Sequence, residues 1–409
     1  MNTKIEEVLK VVKKAVQLLP NPPRDSINNE IQILQELIMQ SRPPKIMIIG
    51  RRGAGKSSLI NAFFNEEVAA VGSVSSKTPF GKWYSYTSES GSIDIMDTRG
   101  LGDSSRPEDS KFATAMEELM AELSEKCPDV VLFLSKAKEV DSRIDEDIDN
   151  VKQILAFIKK KHNYEPPVIA AITQVDEVDP VYIDKPPYEH ETKQKNIAEA
   201  TARIEQLFVD AKIAILKVVP VSAYAVFEYG KMVYNRFWNI DALIDFLVDS
   251  LPREAKLELA RLAKLVDVQK KIARIIITSA ATINAGIAAI PIPVADIFPI
   301  TSTQIAMIAG IGYITNRKLD KKTIIEFLSA IGATTGAAMA FRELARGIIK
   351  FVFPGGGSVI SSSIAFGGTW AIGEAAIAYF IEGKSISDVK EVFDTIKKKK
   401  KRSLRKNDR

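Results

Sequence analysis

The sequence predicts an α/β domain, with a mostly parallel sheet covered by helices on both faces, joined to an all-α domain. Strand-like and helix-like patterns alternate from Lys45 to about Leu251, which is the order typical of parallel strands linked by helical crossovers. After Leu251 the strand-like runs stop, and small and apolar residues dominate up to residue 381. A chain of 409 residues is also longer than one ordinary domain.

Two amphipathic helices are predicted before the first strand. Residues 3–19 begin with a capping box and place apolar side chains at three- and four-residue steps. Residues 25–39 repeat the spacing, and the two prolines at 43–44 end the segment. Neither helix can bury its apolar face alone, so residues 1–42 are expected to pack on the helical domain.

The α/β domain is expected over residues 43–251. Short apolar runs predict its strands, and longer runs with helical periodicity predict the helices between them. The predicted strands are 45–49, 82–88, 92–97, 129–135, 167–173 and 214–221, and the predicted helices are 56–64, 110–126, 143–161, 192–212 and 240–250. The short turn Glu89–Gly91 predicts one antiparallel hairpin, between the second and third strands.

The segment Gly50–Ser57 has the pattern G-x-x-x-x-G-K-S between a strand and a helix. Glycines let the backbone turn its N–H groups inward, so that an anion lies in a nest at a helix N-terminus. Lys56 is expected to reach the β- and γ-phosphates of a nucleotide, and the Ser57 hydroxyl to ligate Mg²⁺. The predicted nucleotide-binding residues of this loop are Gly50, Arg51, Gly53, Ala54, Gly55, Lys56, Ser57 and Ser58.

A second motif, D-x-x-G, ends the third strand. Asp97 is expected to hold Mg²⁺ through a water, and the Gly100 N–H to sense the γ-phosphate. Between the two motifs lies Ser75–Pro79, in which Thr78 is the predicted hydroxyl of the Mg²⁺ shell and the nearby serines are alternatives. The predicted metal ligands are Ser57, Thr78 and Asp97.

A third motif is predicted to bind the base of the nucleotide. A buried-type strand ends at Thr173, which with Gln174 and Asp176 forms the pattern T-x-x-D. A carboxylate at Asp176 can accept hydrogen bonds from the N1–H and the exocyclic amino group of guanine, whereas adenine lacks that pair of donors. Ser222 and Ala223 end the last strand, where a backbone N–H can reach the guanine oxygen. We therefore predict GTP or GDP as the bound nucleotide, with Mg²⁺.

These ordered motifs resemble those of the translation-factor-related GTPases, the class that contains Ras, the Era-like proteins and the dynamins. The resemblance covers residues 45–251 and implies a GTP-hydrolysing enzyme, with the residues above in the family's roles. The chain departs from the family at two positions. Gln174 stands where a lysine normally packs across the base, and Leu101 stands where Ras-like proteins carry the glutamine that orients the attacking water.

Leu101 implies a catalytic group from elsewhere, which related GTPases often obtain by forming a homodimer across the nucleotide face. Such GTPases commonly bind potassium through an asparagine of the phosphate loop, but Gly53 occupies that position here, so potassium dependence stays open. Our hypothesis is that Arg52 supplies transition-state charge; the alternative is that Arg51 and Arg52 face solvent or pair with the glutamates at 66–67. The predicted catalytic residues are Arg52, Lys56, Thr78 and Gly100.

The helical domain, residues 252–396, holds three long uncharged segments. They cover residues 275–295, 297–316 and 351–373. Each is long enough to span a bilayer, so two interpretations stay open: a soluble bundle with closely packed small residues, or a membrane-inserting hairpin. Asn284 and Gln304 favour the soluble bundle, since polar groups are expensive in lipid.

Two further resemblances concern architecture. Residues 290–296 and 304–308 resemble a helical C-terminal domain of unknown function that follows Era-like GTPase domains in bacteria. The order of N-terminal helices, GTPase domain and helical region is similar to that of the interferon-inducible, immunity-related GTPases. That likeness implies GTP-controlled assembly on membranes, as in dynamin-like proteins.

Positive charge is concentrated at the end of the chain. Residues 397–409 hold nine Lys or Arg and one Asp, a net +8, whereas the whole chain is +5, which leaves −3 for the remainder. A basic tail favours an anionic membrane, at about 1 kcal/mol for each cation near the surface; the alternative is a solvated, disordered end. The single cysteine, Cys127, and the charged residues 1–7 predict a cytoplasmic protein without a signal peptide, peripheral to a membrane.

The expected function is a dimerising GTPase switch that couples nucleotide state to membrane association or remodelling. The alternatives are an Era-like ribosome or RNA assembly factor, and a GTP-binding module with negligible hydrolysis. RNA is the less expected partner, because no GxxG region or aromatic platform follows residue 251. Leu101 favours the GTP-binding module with negligible hydrolysis, because a leucine cannot orient the attacking water.

Overall fold

The structure, a computed structural model, describes residues 12–13, 16–17, 21, 23–69, 82–98, 114–140, 144–289, 298–316, 327, 362–385 and 387–396, without the side chains of Asp97, Phe298 and Thr301. The chain divides into two compact units. The sheet unit is residues 43–263, and the helical unit is residues 1–42 with 264–409. The division falls later than the predicted boundary at residue 251, because the helix Arg253–Ala263 packs against the sheet and the first crossover helix.

The sheet unit has six strands in one sheet. They are β1 Lys45–Gly50, β2 Trp83–Ser88, β3 Gly91–Asp97, β4 Val130–Lys136, β5 Val168–Thr173 and β6 Lys217–Pro220, in the spatial order β2-β3-β1-β4-β5-β6. The pairs β3–β1, β1–β4, β4–β5 and β5–β6 are parallel, and β2 alone pairs antiparallel, with β3. The predicted α/β fold with one antiparallel hairpin is confirmed.

Burial explains why the central strands are continuous apolar runs. All six residues of β5 and the first six of β4 are buried, whereas the edge strand β2 alternates between partly buried and exposed positions. Parallel strands covered by helices on both faces need such runs. The helices are α1 Pro23–Leu34, α2 Lys56–Phe64, α3 Ala115–Glu125, α4 Ile144–His162, α5 Glu191–Asp210, α6 Ile240–Ser250, α7 Arg253–Ala263, α8 Val266–Ala288, α9 Phe298–Ile314 and α10 Ser362–Ala376.

One element of the sheet unit was not predicted. Ala225–Glu228 (β7) and Lys231–Asn235 (β8) form a separate two-stranded antiparallel sheet. Its turn places Tyr229 and Gly230 at φ values of 52° and 75°, which is the left-handed backbone that two-residue hairpins require. A glycine between two short alternating runs was the signal for this hairpin in the sequence.

The helical unit has a polar network inside an apolar core. Thr369 Oγ1 accepts hydrogen bonds from Asn284 Nδ2 at 2.9 Å and from Gln304 Nε2 at 3.1 Å, and all three side chains are buried. Small residues let the helices approach closely: a Cβ added at Gly373 would lie 2.4 Å from Ile277 Cγ1. Paired amides in the core are the arrangement that the bundle interpretation needs.

The N-terminal segment packs within the same unit. Ser279 Oγ on α8 donates to Glu30 Oε2 on α1 at 2.6 Å, and a Cβ added at Gly310 would lie 2.7 Å from Ile38 Cδ1. Most of the predicted helix 3–19 lies outside the described residues, and so do residues 291–296, 351–361 and the basic tail.

Among the described residues, Ser362–Ile381 is long and apolar enough to cross a membrane by length and composition. In that helix 67% of the most apolar window is buried inside the protein. The core helix of a soluble protein meets the same criteria, so this observation leaves both interpretations of the uncharged segments open.

Candidate nucleotide-binding site

The carboxyl ends of β1, β4, β5 and β6 meet at one edge of the sheet, and the predicted site residues collect there. The loop that follows β1 reverses direction within a few residues, because Gly53 and Gly55 adopt φ values of 79° and 81°. A turn hydrogen bond from the Ala54 N–H to the Arg51 carbonyl, at 3.1 Å, closes the loop. The helix α2 then begins at Lys56, so its N-terminal N–H groups and positive dipole end face the loop.

Close packing leaves no room for a side chain at the start of this loop. A Cβ added at Gly50 would lie 2.8 Å from the carbonyl oxygen of Leu134 on β4. At Gly53 an added Cβ would lie 3.3 Å from the Lys136 side chain. The loop therefore approaches β4 backbone to backbone, which fits a cradle for phosphate groups.

Lys56 is buried at the base of the loop. Its Nζ donates to the carbonyl of Gly50 and to that of Arg51, the latter at 3.0 Å. These bonds hold an ammonium group inside the loop, where it adds positive charge to that of the helix end.

The end of β5 is joined to the same loop by side chains. Thr173 Oγ1 donates to the carbonyl of Ala54 at 3.0 Å, and Gln174 Nε2 donates to the carbonyl of Gly53 at 2.7 Å. Gln174 adopts a φ of 58°, so its side chain turns back toward the phosphate loop. Sequence reasoning expected Gln174 to cover the base, and the structure adds this hydrogen bond to the loop.

Asp176 lies at the next position along this edge and is buried. Ser222 Oγ, at the end of the last strand, donates to Asp176 Oδ1 at 3.0 Å. Ser222 is held in turn by a backbone pair with Trp238, with N–H to carbonyl distances of 3.1 and 3.0 Å. The structure thus brings Asp176 and Ser222 together, with Ala223 buried beside them.

Two cations near Asp176 were missed by sequence reasoning. Lys193 on α5 is fully buried, and its Nζ donates to the carbonyls of Asp176 and Val178, both at 2.8 Å. Burial lowers the pKa of Lys193. Arg236, just after β8, places Nη1 3.9 Å from Asp176 Oδ2. Neither lies in a recognisable motif, and a buried lysine carries no sequence signal beyond its helical spacing.

The two arginines of the phosphate loop differ. Arg51 Nε donates to Asp147 Oδ2 on α4 at 2.7 Å, a partner that the sequence analysis did not name. Burial raises the pKa of Asp147, and the neighbouring Arg51 partly offsets that rise. Arg52 is exposed at the loop surface.

The predicted metal and catalytic residues are only partly described. Ser57 is half-buried in the first turn of α2. Asp97 ends β3 in register with Ile48 of β1, and the Thr98 hydroxyl donates to the Ile48 carbonyl at 3.1 Å. The side chain of Asp97 lies outside the described part of the chain, as do Thr78 and Gly100. Of the three predicted Mg²⁺ ligands, Ser57 is the one whose side chain lies in the described part of the chain.

Comparison with known proteins agrees with this geometry. Residues 45–174 match the family model described as 50S ribosome-binding GTPase. GTPase Der of Fusobacterium nucleatum is 33% identical over 134 residues, which is 32% of this chain and 27% of that protein. The uncharacterized protein YkfA of Escherichia coli K12 is 28% identical over 213 residues, which is 52% of this chain and 63% of YkfA. The chain thus spans less than two thirds of the length of each of these two relatives.

Solved structures give only distant likenesses. Toc33 from Arabidopsis thaliana is 17% identical with a TM-score of 0.33, over 60% of this chain and 95% of that chain. Era from Aquifex aeolicus, bound to GDP and AlF4⁻, is 21% identical with a TM-score of 0.33, over 58% of this chain and 66% of that chain. Scores this low carry no conclusion about assembly or partners. The observed fold and the match of residues 45–174 to a GTPase family model together identify an α/β P-loop GTPase domain in this chain.

Proposed function

We propose that the protein is a GTP-hydrolysing switch whose helical unit couples nucleotide state to membrane association. One observation carries the nucleotide half: a glycine-lined loop with a buried lysine lies at the same sheet edge as the buried carboxylate of Asp176. Gln174, two residues before Asp176, donates to the Gly53 carbonyl and so ties the segment that carries the carboxylate to the loop. Loop and carboxylate match the two ends of a nucleoside triphosphate.

Guanine is the base that this arrangement favours. The Asp176 carboxylate is oriented by the hydrogen bond from Ser222 at 3.0 Å. An oriented carboxylate accepts from two adjacent donors, and guanine presents them at N1 and at its 2-amino group, whereas adenine does not. Burial of Asp176 strengthens this selection, since an unpaired carboxylate out of water is costly.

Hydrolysis needs charge on the γ-phosphate and a positioned water. Lys56 supplies positive charge from within the loop, and Ser57, Thr78 and Asp97 would hold a Mg²⁺ ion that would supply further positive charge to the phosphates. Leu101 cannot orient water, so a further group is required. Arg52 at the loop surface is the proposed source, acting in its own site or in that of a second copy across the nucleotide face.

The base assignment is tested with Asp176→Asn. An amide in place of the carboxylate donates where guanine donates, so GTP affinity should fall by about 100-fold, from the loss of hydrogen bonds to a charged group. Xanthosine triphosphate, whose C2 oxygen accepts, should bind better than GTP. Titration of the full chain with fluorescent nucleotides measures both. Unchanged GTP affinity would refute guanine recognition by Asp176.

The hydrolysis assignment is tested by phosphate release at increasing protein concentration. Specific activity that rises with concentration supports activation by a second copy, and no release at all favours the non-hydrolysing module. Arg52→Ala should lower turnover by at least tenfold at saturating protein concentration, with Arg52→Lys intermediate because it keeps the charge but not the planar fork. Equal turnover in Arg52→Ala and the native protein would eliminate Arg52.

The membrane half is supported by the basic tail 397–409, and the apolar helix Ser362–Ile381 is compatible with it. Co-sedimentation with anionic and with neutral vesicles, in GTP and in GDP, tests it. Binding should require anionic lipid and weaken when the chain is cut after residue 396. Pelleting no greater than without lipid would refute the membrane half of the proposal.

The description of the matching family favours a second candidate function, binding to a ribosomal partner. Sedimentation of the protein with purified 50S subunits, but not with vesicles, would support that candidate.

A further inference from the structure

We propose that Arg236 is a positioning residue that sets guanine specificity: from the β7–β8 hairpin it orients the Asp176 carboxylate and leaves one oxygen available to the base. This inference rests on the proposed function, since it takes GTP as the ligand of Asp176. It gives a role to the hairpin, which no motif accounts for.

The guanidinium of Arg236 is fixed from several sides. Its Nη2 lies 2.6 Å from Asp184 Oδ2, and its Nε donates to the Tyr234 hydroxyl at 3.1 Å. Its Cζ lies over the rings of Tyr224 and Tyr234, at 5.0 and 5.7 Å from their centroids. The backbone N–H of Arg236 donates to the Tyr224 carbonyl at 2.8 Å, which fixes the main chain from which the side chain extends. A long side chain held in this way presents its charge at one place.

The guanidinium of Arg236 lies close to the Asp176 carboxylate without a direct hydrogen bond to it. The distance of 3.9 Å between Arg236 Nη1 and Asp176 Oδ2 exceeds the range of a hydrogen bond. It still gives a strong attraction, because the Asp176 side chain is only 7% exposed. Within the described residues, Oδ1 accepts from Ser222 and Oδ2 accepts no hydrogen bond.

The two carboxyl oxygens therefore have different tasks. Ser222 holds Oδ1, and the charge of Arg236 holds the carboxylate plane without occupying Oδ2. The shorter contact, 2.6 Å between Arg236 Nη2 and Asp184 Oδ2, holds the guanidinium away from Asp176 Oδ2. Each carboxylate oxygen can accept two hydrogen bonds, so Oδ2 and the remaining acceptor site of Oδ1 can take the two adjacent donors of guanine.

The hypoxanthine base of inosine triphosphate separates positioning from general structural support. It lacks the 2-amino group, so it makes one of the two hydrogen bonds and depends less on the orientation of the carboxylate. We expect Arg236→Ala in the full chain to weaken GTP about tenfold and inosine triphosphate less than threefold, so that the ratio of their dissociation constants falls. Lys231→Ala, which removes an exposed charge from the same hairpin, is the matched control and should leave the ratio unchanged.

Two further variants keep the test decisive if Arg236→Ala does not fold. Arg236→Lys keeps the charge without the fork and should recover part of the ratio. Asp184→Asn frees the guanidinium to bind Oδ2 in competition with the base, so GTP should again weaken more than inosine triphosphate. If these variants weaken GTP and inosine triphosphate equally, Arg236 has only a structural role and the proposal is overturned. Unchanged GTP affinity in both Asp184→Asn and Arg236→Lys would overturn it as well.

Guanine recognition by Asp176 and the positioning role of Arg236 can be disproved independently. If Asp176→Asn leaves GTP affinity unchanged, guanine recognition itself is wrong. If Asp176→Asn weakens GTP but the Arg236 and Asp184 variants keep the native ratio, only the role of Arg236 is wrong.

Discussion

The proposed phosphate-binding end and the proposed base-binding end of this site, called below the phosphate end and the base end, are built in different ways. The phosphate end is one continuous segment, Gly50–Lys56, whose backbone turns on glycines and whose lysine bonds the loop's own carbonyls. The base end is assembled from side chains far apart in sequence, including Asp176, Lys193, Ser222 and Arg236. The first end depends on steric fit of the backbone, and the second depends on the placement of charges. Substitutions should separate these two dependences.

The largest effect is expected at Lys56, where the phosphate end carries its charge. Lys56→Ala should weaken GTP and ATP alike by about 100-fold, because the lost contacts are with charged phosphates common to both. Nucleotide titration of both triphosphates measures this. A loss confined to GTP would place Lys56 at the base end and break the comparison.

A steric change at the same end comes next. Gly50→Ala puts a Cβ 2.8 Å from the Leu134 carbonyl, so the backbone must shift, and we expect about 1–3 kcal/mol of lost stability. Denaturant unfolding measures it, and triphosphate affinity should fall with it. Lys195→Ala on α5, where the side chain is 73% exposed, is the control that should leave affinity as it is.

A moderate effect is expected at the residue that joins the two ends. Gln174→Ala removes the bond to the Gly53 carbonyl, which contributes about 1 kcal/mol and so about fivefold in GTP affinity. Gln174→Lys restores a donor of similar reach and should recover most of the affinity. If Gln174→Ala binds GTP as tightly as the native protein, the two ends act independently.

The smallest effect concerns Asp147 behind the phosphate loop. Burial raises the pKa of Asp147 above its ordinary 3.8, so the folded state holds the proton to higher pH than the unfolded state. The stabilisation that this proton contributes is complete below pH 3.8 and is lost as pH rises through the folded pKa.

Asp147→Asn should lack this dependence of the free energy of unfolding on pH, and denaturant unfolding at several acidic pH values would measure it. The pairing with Arg51 opposes the rise, so Arg51→Ala should steepen the slope. Identical pH dependence in the native protein and Asp147→Asn would mean that Arg51 cancels the effect of burial.

The helical unit shows where sequence patterns stop being decisive. Long uncharged segments fit a bilayer or a core equally well, because both environments select apolar residues. The structure pairs Asn284 and Gln304 with Thr369 inside the unit, which the spacing of these residues along the chain does not indicate. The Ser362–Ile381 helix nevertheless keeps the composition of a membrane span.

The sequence by itself determined the order of strands and helices along the chain, the phosphate loop and the T-x-x-D motif, because each depends on residues that are neighbours along the chain. Glycine backbone freedom, strand periodicity and helix starts are local properties. Only the tertiary structure decided that Arg51 faces Asp147 and that Arg236 stands beside Asp176. Those contacts join residues brought together by the packing of separate elements, and no local pattern encodes which carboxylate a surface arginine will meet.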